Sequence, residues 1–166
     1  IWVTGELGTA ALGLAKLQSK IQIPESLSKK AIRALEKPML HSSIIESMAR
    51  LSHSAIDISD GLIADLTHIL EASKVGANIT LKNIPMNPWI KKNNLFDIGL
   101  SGGDDYQLLF TAPKKNRDKI TLVSKMPSIK LVRIGSIKKD KGLNIINHKG
   151  MLYKMKKRGY DHFETK

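Results

Sequence analysis

The chain has 166 residues, 42% hydrophobic and 25% charged, which suits one domain with a sizeable core. Zero cysteines exclude disulfides, thiolate metal sites and cysteine nucleophiles and fit a reducing, cytoplasmic setting. No run of about 18 uncharged apolar residues marks a membrane span, and no basic-then-apolar leader opens the chain. The net charge of +12, from 27 Lys+Arg against 15 Asp+Glu, attracts anions in general. Those cations are scattered over turns and tails, at Lys29-Lys30, Lys91-Lys92, Lys114-Lys115, Lys138 to Lys141 and Lys154 to Arg158. With aromatics at 5% and no basic helix among them, a nucleic-acid platform is not expected.

In chain order, Ile1 to Val3 reads as a buried strand that opens the chain without an initiator Met, so further sequence is expected upstream. A Gly-bearing turn, Thr4 to Gly8, leads to a helix over Thr9 to Leu17, whose Leu12, Leu14 and Leu17 stand among small alanines. A second helix is predicted near Ser28 to Glu36, ended by Pro38. Ser43 and Glu46 have capping-box spacing for a third, running to about Leu51. After the segment Ala55 to Gly61, Leu62, Ile63, Leu66, Ile69 and Leu70 repeat at helical spacing, with Gly76 as the expected stop. Ala77 to Leu81 reads as a strand and Pro85 with Pro88 as a loop. Further strands are expected at Tyr106 to Thr111, Leu131 to Ile137, Leu143 to Ile146 and Met151 to Tyr153, with a helix over Arg117 to Met126 and a turn at Asn147 to Gly150. Interleaved strands and helices of this order imply an α+β (α/β layered) domain with a mixed sheet.

Three segments carry chemistry. Asp57, Ser59 and Asp60 place two carboxylates and a hydroxyl in four residues just before the long helix. Asp60 could cap that helix. Asp57, between Ile56 and Ile58 on an alternating strand, points away from their buried face and is not explained by capping. A hard-oxygen cluster of this kind suits Mg²⁺, and the helix start favours a phosphate beside it. Ser101-Gly102-Gly103-Asp104-Asp105-Tyr106 is the second segment, either a simple turn or a loop whose paired glycines admit unusual backbone and close ligand approach. Its adjacent carboxylates must diverge or share a cation. Gly159-Tyr160-Asp161-His162-Phe163 reads as a tail or as an aromatic that folds back over a ligand. His41, His53, His68 and His148 read as structural or solvated. No P-loop is present.

The segments IWVTGELGTAALGL (1–14), SAIDISDGLIADLTH (54–68), LSGGDDYQLLFT (100–111) and GYDHF (159–163) resemble, in that order and at comparable spacing, the thiamine-monophosphate kinase family of the aminoimidazole ribonucleotide synthetase superfamily. The resemblance spans essentially the whole chain. It implies that residues 1–166 are the C-terminal domain, with an aminoimidazole ribonucleotide synthetase C-terminal-domain-like fold, and that an N-terminal domain lies outside this chain. It implies transfer of phosphate from ATP to thiamine phosphate with Mg²⁺, without a protein nucleophile. Carried over by position, Asp57 is a Mg²⁺ ligand, Ser59 an ATP contact, Asp60 a ligand of a further Mg²⁺, Asp104 a contact to thiamine phosphate with Asp105 assisting, and Tyr160 an aromatic near the thiamine. Gln107 departs from the family, which often has Glu there. The implied partners are the N-terminal domain and a second copy in a homodimer. The competing readings are another ATP-dependent enzyme of the superfamily and, from a different class, a basic nucleic-acid-binding module.

Overall fold

The computed structural model describes residues 1–39, 42–125 and 130–155. The elements run β1 (Trp2–Thr4), α1 (Thr9–Leu17), α2 (Glu25–Glu36), α3 (Ser42–Leu51), β2 (Ser54–Ile58), α4 (Leu62–Ala72), β3 (Gly76–Thr80), α5 (Pro88–Lys92), α6 (Phe96–Ser101), β4 (Gln107–Thr111), α7 (Arg117–Val123), β5 (Leu131–Arg133), β6 (Gly135–Lys138) and β7 (Gly142–Ile146). The first sheet has the order β2-β4-β1-β5 with each neighbouring pair antiparallel. The second has the order β6-β3-β7, where β3 is antiparallel to β6 and parallel to β7. This is the expected α+β class, with the strands divided between an antiparallel sheet and a mixed one.

Side-chain alternation explains the layering. Trp2, Phe110 and Leu131 project from one face of the first sheet into a cluster with Ile44 and Met48 of α3 and Ile120 of α7. Trp2 and Phe110 stack with ring centroids 6.5 Å apart. Val3, Leu109 and Ile58 project from the other face into the main core with Leu12 of α1, Leu62 and Leu66 of α4, and Ala77 and Ile79 of the second sheet. Each such fully buried Leu or Ile contributes about 1.5–3 kcal/mol, so a sheet covered on both faces is held firmly in register.

Several boundaries differ from the sequence reading. Helix α2 starts one turn early, at Glu25, because the Pro24 carbonyl accepts the Leu27 and Ser28 amides. Helix α3 begins at Ser42, so Ser43 is already inside it, and Glu46 pairs with Arg50 one turn on. Lys74, at φ 55°, takes the left-handed position after α4, while Gly76 opens β3. The expected strand over 131–137 is two strands in two sheets. Ile134 between them donates to Ile1 and accepts from Thr80, and a Cβ at Gly135 would overlap the Asn78 carbonyl oxygen. Pro88 starts α5, with Asn87 as the N-cap accepting the Trp89 amide at 2.9 Å. Met151 to Tyr153 forms a single antiparallel bridge, Leu152 to Ile146.

Candidate functional site

Strand β2 carries the acidic segment to an edge of the first sheet. Asp57 lies opposite Leu108 and is exposed, whereas Ile58 is fully buried, so the strand's alternation turns the carboxylate from the core as expected. The chain then leaves the sheet through Ser59, Asp60 and Gly61, and α4 begins. Gly61 has φ 118° and ψ 152°, backbone open essentially to glycine alone, and a Cβ there would lie 2.8 Å from the Ser101 carbonyl carbon.

Asp60 is not the cap of α4. Gly61 holds that position without a side-chain bond. The turn is secured by Asp65, which lies in the helix's first turn and is 2% exposed. Its Oδ2 accepts the amides of Ser59 at 3.1 Å, Asp60 at 3.2 Å and Gly61 at 3.1 Å. Burial pushes the Asp65 carboxyl above its ordinary range and the Asp60 charge adds to this, opposed by the amides and by His68. Acidic oxygens of Asp60 and Asp65 and a nitrogen of His68 all lie within 4.8 Å of one another. His68, read from sequence as structural or solvated, is indeed exposed, and it stands beside the acidic turn.

The Gly-Gly loop lies directly against this turn. The Asp104 amide donates to the Ser59 carbonyl at 2.9 Å and the Tyr106 amide to the Ile58 carbonyl at 2.8 Å. The glycines serve close approach: a Cβ at Gly103 would overlap the Ser59 carbonyl oxygen, and one at Gly102 would overlap the Ala11 side chain and the Ile98 carbonyl. The left-handed backbone falls instead on Asp104 (φ 64°) and Tyr106 (φ 47°), so β4 begins one residue later than expected. An aromatic residue there is a genuine outlier, of the kind that collects at functional sites. Gly103→Ala should therefore force the two segments apart and cost about 1–3 kcal/mol, read as a lowered midpoint in thermal unfolding.

Asp104 and Asp105 diverge. Asp104 is half-buried beside Ser59, whereas Asp105 is 6% exposed and turns to the start of α1. Its Oδ2 accepts the Gly8 amide at 2.6 Å and its Oδ1 the Ala10 amide at 3.2 Å. It thus supplies the cap that α1, with Gly8 at its N-cap, lacks locally. Burial pushes the Asp105 carboxyl up to about 7, with Asp104 and Glu6 adding to the effect and the two amides opposing it. Gln107, where the resembled family often has Glu, accepts from the Thr4 hydroxyl and donates to the Asp105 carbonyl.

Because β4 runs antiparallel to both β1 and β2, the ends of β1 and β2 and the start of β4 lie at the same end of the sheet. Three of the four sequence segments therefore meet there. Next to Asp105 a cleft of about 370 Å³ opens, lined by Glu6, Lys30, Arg33, Lys37 and Lys130 among others. Glu6 at its floor accepts from Lys30 at 2.8 Å and Asn87 at 3.0 Å. The fourth segment, with Tyr160, lies outside the described residues, as does His41. Chain leading toward Tyr160 is tied down at Tyr153, whose hydroxyl donates to Asp97 at 2.9 Å and whose ring meets Phe96 edge-on. Burial and the Asp97 contact push the Tyr153 phenol up to about 12.

Sequence reasoning passed over Asp65. Its signal was available: it lies on the same helical face as Leu62, Leu66 and Ile69, and a buried carboxylate needs donors.

Residues 1–147 match the family described as AIR synthase related protein, C-terminal domain. The thiamine-monophosphate kinase of Buchnera aphidicola subsp. Schizaphis graminum is 40% identical over 98% of this chain and 52% of its own length. The crystal structure of thiamine-monophosphate kinase from Stenotrophomonas maltophilia K279a is 30% identical with a TM-score of 0.78, covering 87% of this chain and 48% of that one. The structure of AaThiL complexed with AMPPCP and TMP is 27% identical with a TM-score of 0.77, covering 98% and 50%. The chain spans about half the length of the curated relatives it matches. By fold and by sequence, this chain belongs to the AIR synthase related protein C-terminal domain family, with thiamine-monophosphate kinases among its relatives.

Proposed function

We propose that this chain is the C-terminal domain of an ATP- and Mg²⁺-dependent thiamine-monophosphate kinase, and that an N-terminal domain completes its site. The observation that carries the proposal is the hydrogen-bonded junction of the Asp57–Gly61 turn and the Gly102–Asp105 loop. It gathers the acidic and hydroxyl groups such a reaction needs at one end of the sheet. The solved structure of AaThiL complexed with AMPPCP and TMP supports ATP and thiamine phosphate as the substrates.

In this reading a phosphate oxygen of thiamine phosphate attacks the γ-phosphorus of ATP, the bond to the β-phosphate oxygen breaks, and ADP leaves. Positioning and charge neutralisation do most of the work, so no protein nucleophile is required. Asp60, grouped with Asp65 and His68, and the exposed Asp57 three residues before it offer hard oxygen donors suited to Mg²⁺. These carboxylates would hold Mg²⁺, whose chemistry there would be to neutralise charge on phosphate oxygens. Ser59 offers its hydroxyl to ATP. Asp104, fixed by the hydrogen bond its backbone N–H donates to the Ser59 carbonyl, contacts thiamine phosphate, and Asp105 assists by anchoring that loop to α1. Tyr160, outside the described residues, is the aromatic near the thiamine in this reading. Six residues separate it from the Tyr153 anchor, and the seven steps of chain can span at most about 25 Å. The adjoining α6, which ends at the loop, has 6 residues and is only about 9 Å long, so the reach suffices. The basic cleft beside Asp105 favours anionic substrates over the neighbouring surface.

The complete protein is a homodimer of the cytoplasm in this proposal. Among the described residues no helix is long and apolar enough to cross a membrane. The test joins the chain to its N-terminal domain and supplies ATP, Mg²⁺ and thiamine phosphate. Thiamine diphosphate and ADP should form in equal amounts, and the 166-residue chain alone should form little of either. Brisk turnover by the chain alone would contradict the shared site. Protection by an aminoimidazole precursor in place of thiamine phosphate would move the chain to another ATP-dependent branch of the superfamily.

A further inference from the structure

We propose that Asp65 is a positioning residue for the metal-holding turn: its carboxylate fixes Ser59 and Asp60 through their amides, and its charge raises the turn's affinity for a divalent cation. For the identity of the cation this rests on the kinase reading above, while the hydrogen-bond geometry stands independently of it.

Three main-chain donors converging on one oxygen is more than helix initiation requires. In a capping box a side chain from the first turn reaches back to one amide, that of the N-cap. Asp65 reaches back to three in succession, Ser59, Asp60 and Gly61. These are the residues that carry the candidate ATP contact, the candidate Mg²⁺ ligand and the glycine at φ 118°. The turn is gripped from its other side by the Asp104 and Tyr106 amides on the Ser59 and Ile58 carbonyls. The turn is thus held by its amides from one side and by the Ile58 and Ser59 carbonyls from the other, which restrains the backbone of Ser59 and Asp60.

The choice of a charged acceptor is the second observation. A carboxylate 2% exposed, with an oxygen within 4.8 Å of another on Asp60, pays a desolvation cost and repels its neighbour. An Asn of the same shape would avoid both and still present one oxygen to the amides. The arrangement is favourable when a cation joins Asp60, since Asp65 then adds attraction at short range while its Oδ2 stays on the amides. Groups that orient a ligating carboxylate in this way typically change metal affinity by about 10–100-fold. His68, on the same helix face, is the third group near the pair and is exposed to solvent.

The test uses the chain joined to its N-terminal domain, with Mn²⁺ as the probe, titrated by electron paramagnetic resonance. Amide hydrogen exchange at Ser59, Asp60 and Gly61 is followed in the same samples. Asp65→Asn is expected to keep those three amides protected and to weaken Mn²⁺ binding about tenfold. Asp65→Ala is expected to lose the protection and to weaken binding about 100-fold. Unchanged protection in Asp65→Ala would overturn the positioning role. Wild-type Mn²⁺ affinity in both variants, with exchange accelerated in Asp65→Ala, would reduce Asp65 to a structural group and overturn the inference. A wild-type protein that binds no Mn²⁺ and forms no thiamine diphosphate would overturn the kinase reading and the cation half of the inference with it.

Discussion

Replacing Asp60 by Asn in the chain joined to its N-terminal domain should lower kcat by about 100-fold or more at saturating Mg²⁺, ATP and thiamine phosphate, a loss of about 2.7 kcal/mol in transition-state stabilisation. The substitution keeps the side chain's shape and removes one negative charge. Phosphoryl transfer draws its rate mainly from charge placed against the phosphate oxygens, so the charge is what matters. Stability should move the other way. The Asp60 charge helps to push the buried Asp65 carboxyl upward, so Asp60→Asn relieves a repulsion and should leave the unfolding midpoint unchanged or slightly raised. Asp57→Asn should lower kcat similarly with no change in stability, since Asp57 is exposed on an edge strand. Opposite movement of activity and stability separates a metal ligand from a residue that merely starts a helix. Loss of stability with full activity would end the metal reading for both residues.

How far the sequence foretold this depends on the range of the contacts involved. Helix α1 fell within the predicted bounds because its apolar spacing is local, and Asp57's outward aim followed from alternation on β2. Elements dictated by distant neighbours were missed. Helices α5 and α6 have 5 and 6 residues, too short for periodicity to register, although Asn87-Pro88 is a legible cap and first-turn pair. The 131–137 run reads as one strand because nothing local marks Ile134 as the point where the chain passes from one sheet to the other. In the candidate site the residue types were recognisable, but their division of labour was not. The glycine pair was read as a source of unusual backbone or of close ligand approach and turned out to make room for the protein's own chain, Gly103 for Ser59 and Gly102 for Ala11 and Ile98, while the strained backbone went to Asp104 and Tyr106. Asp65 was overlooked although its place on the apolar face of α4 was legible; what the sequence did not show is that its donors are the three amides just before the helix.

Asp105 should impose a pH dependence on stability that Asp105→Asn removes. With its carboxyl pushed from 3.8 up to about 7, the folded chain holds this proton more tightly than the unfolded chain. The stabilisation is therefore fully present below about pH 4 and is lost as pH rises through 7. Three pH units at about 1.4 kcal/mol each put the swing on the order of 4 kcal/mol between pH 4 and pH 8. Asp65, also raised, gives a slope of the same sign in both proteins, so the difference between the two curves isolates Asp105. The variant has its own cost. An Asn offers one acceptor to two amides, leaving either Gly8 or Ala10 unsatisfied at about 1–3 kcal/mol. Wild type should thus be the more stable protein at pH 5, and its advantage should shrink or reverse by pH 8, measured as denaturant midpoints across that range. Parallel curves would mean that the two amides outweigh burial and keep Asp105 ionised throughout. In that case its hold on the Gly102–Asp105 loop would be the same across that pH range.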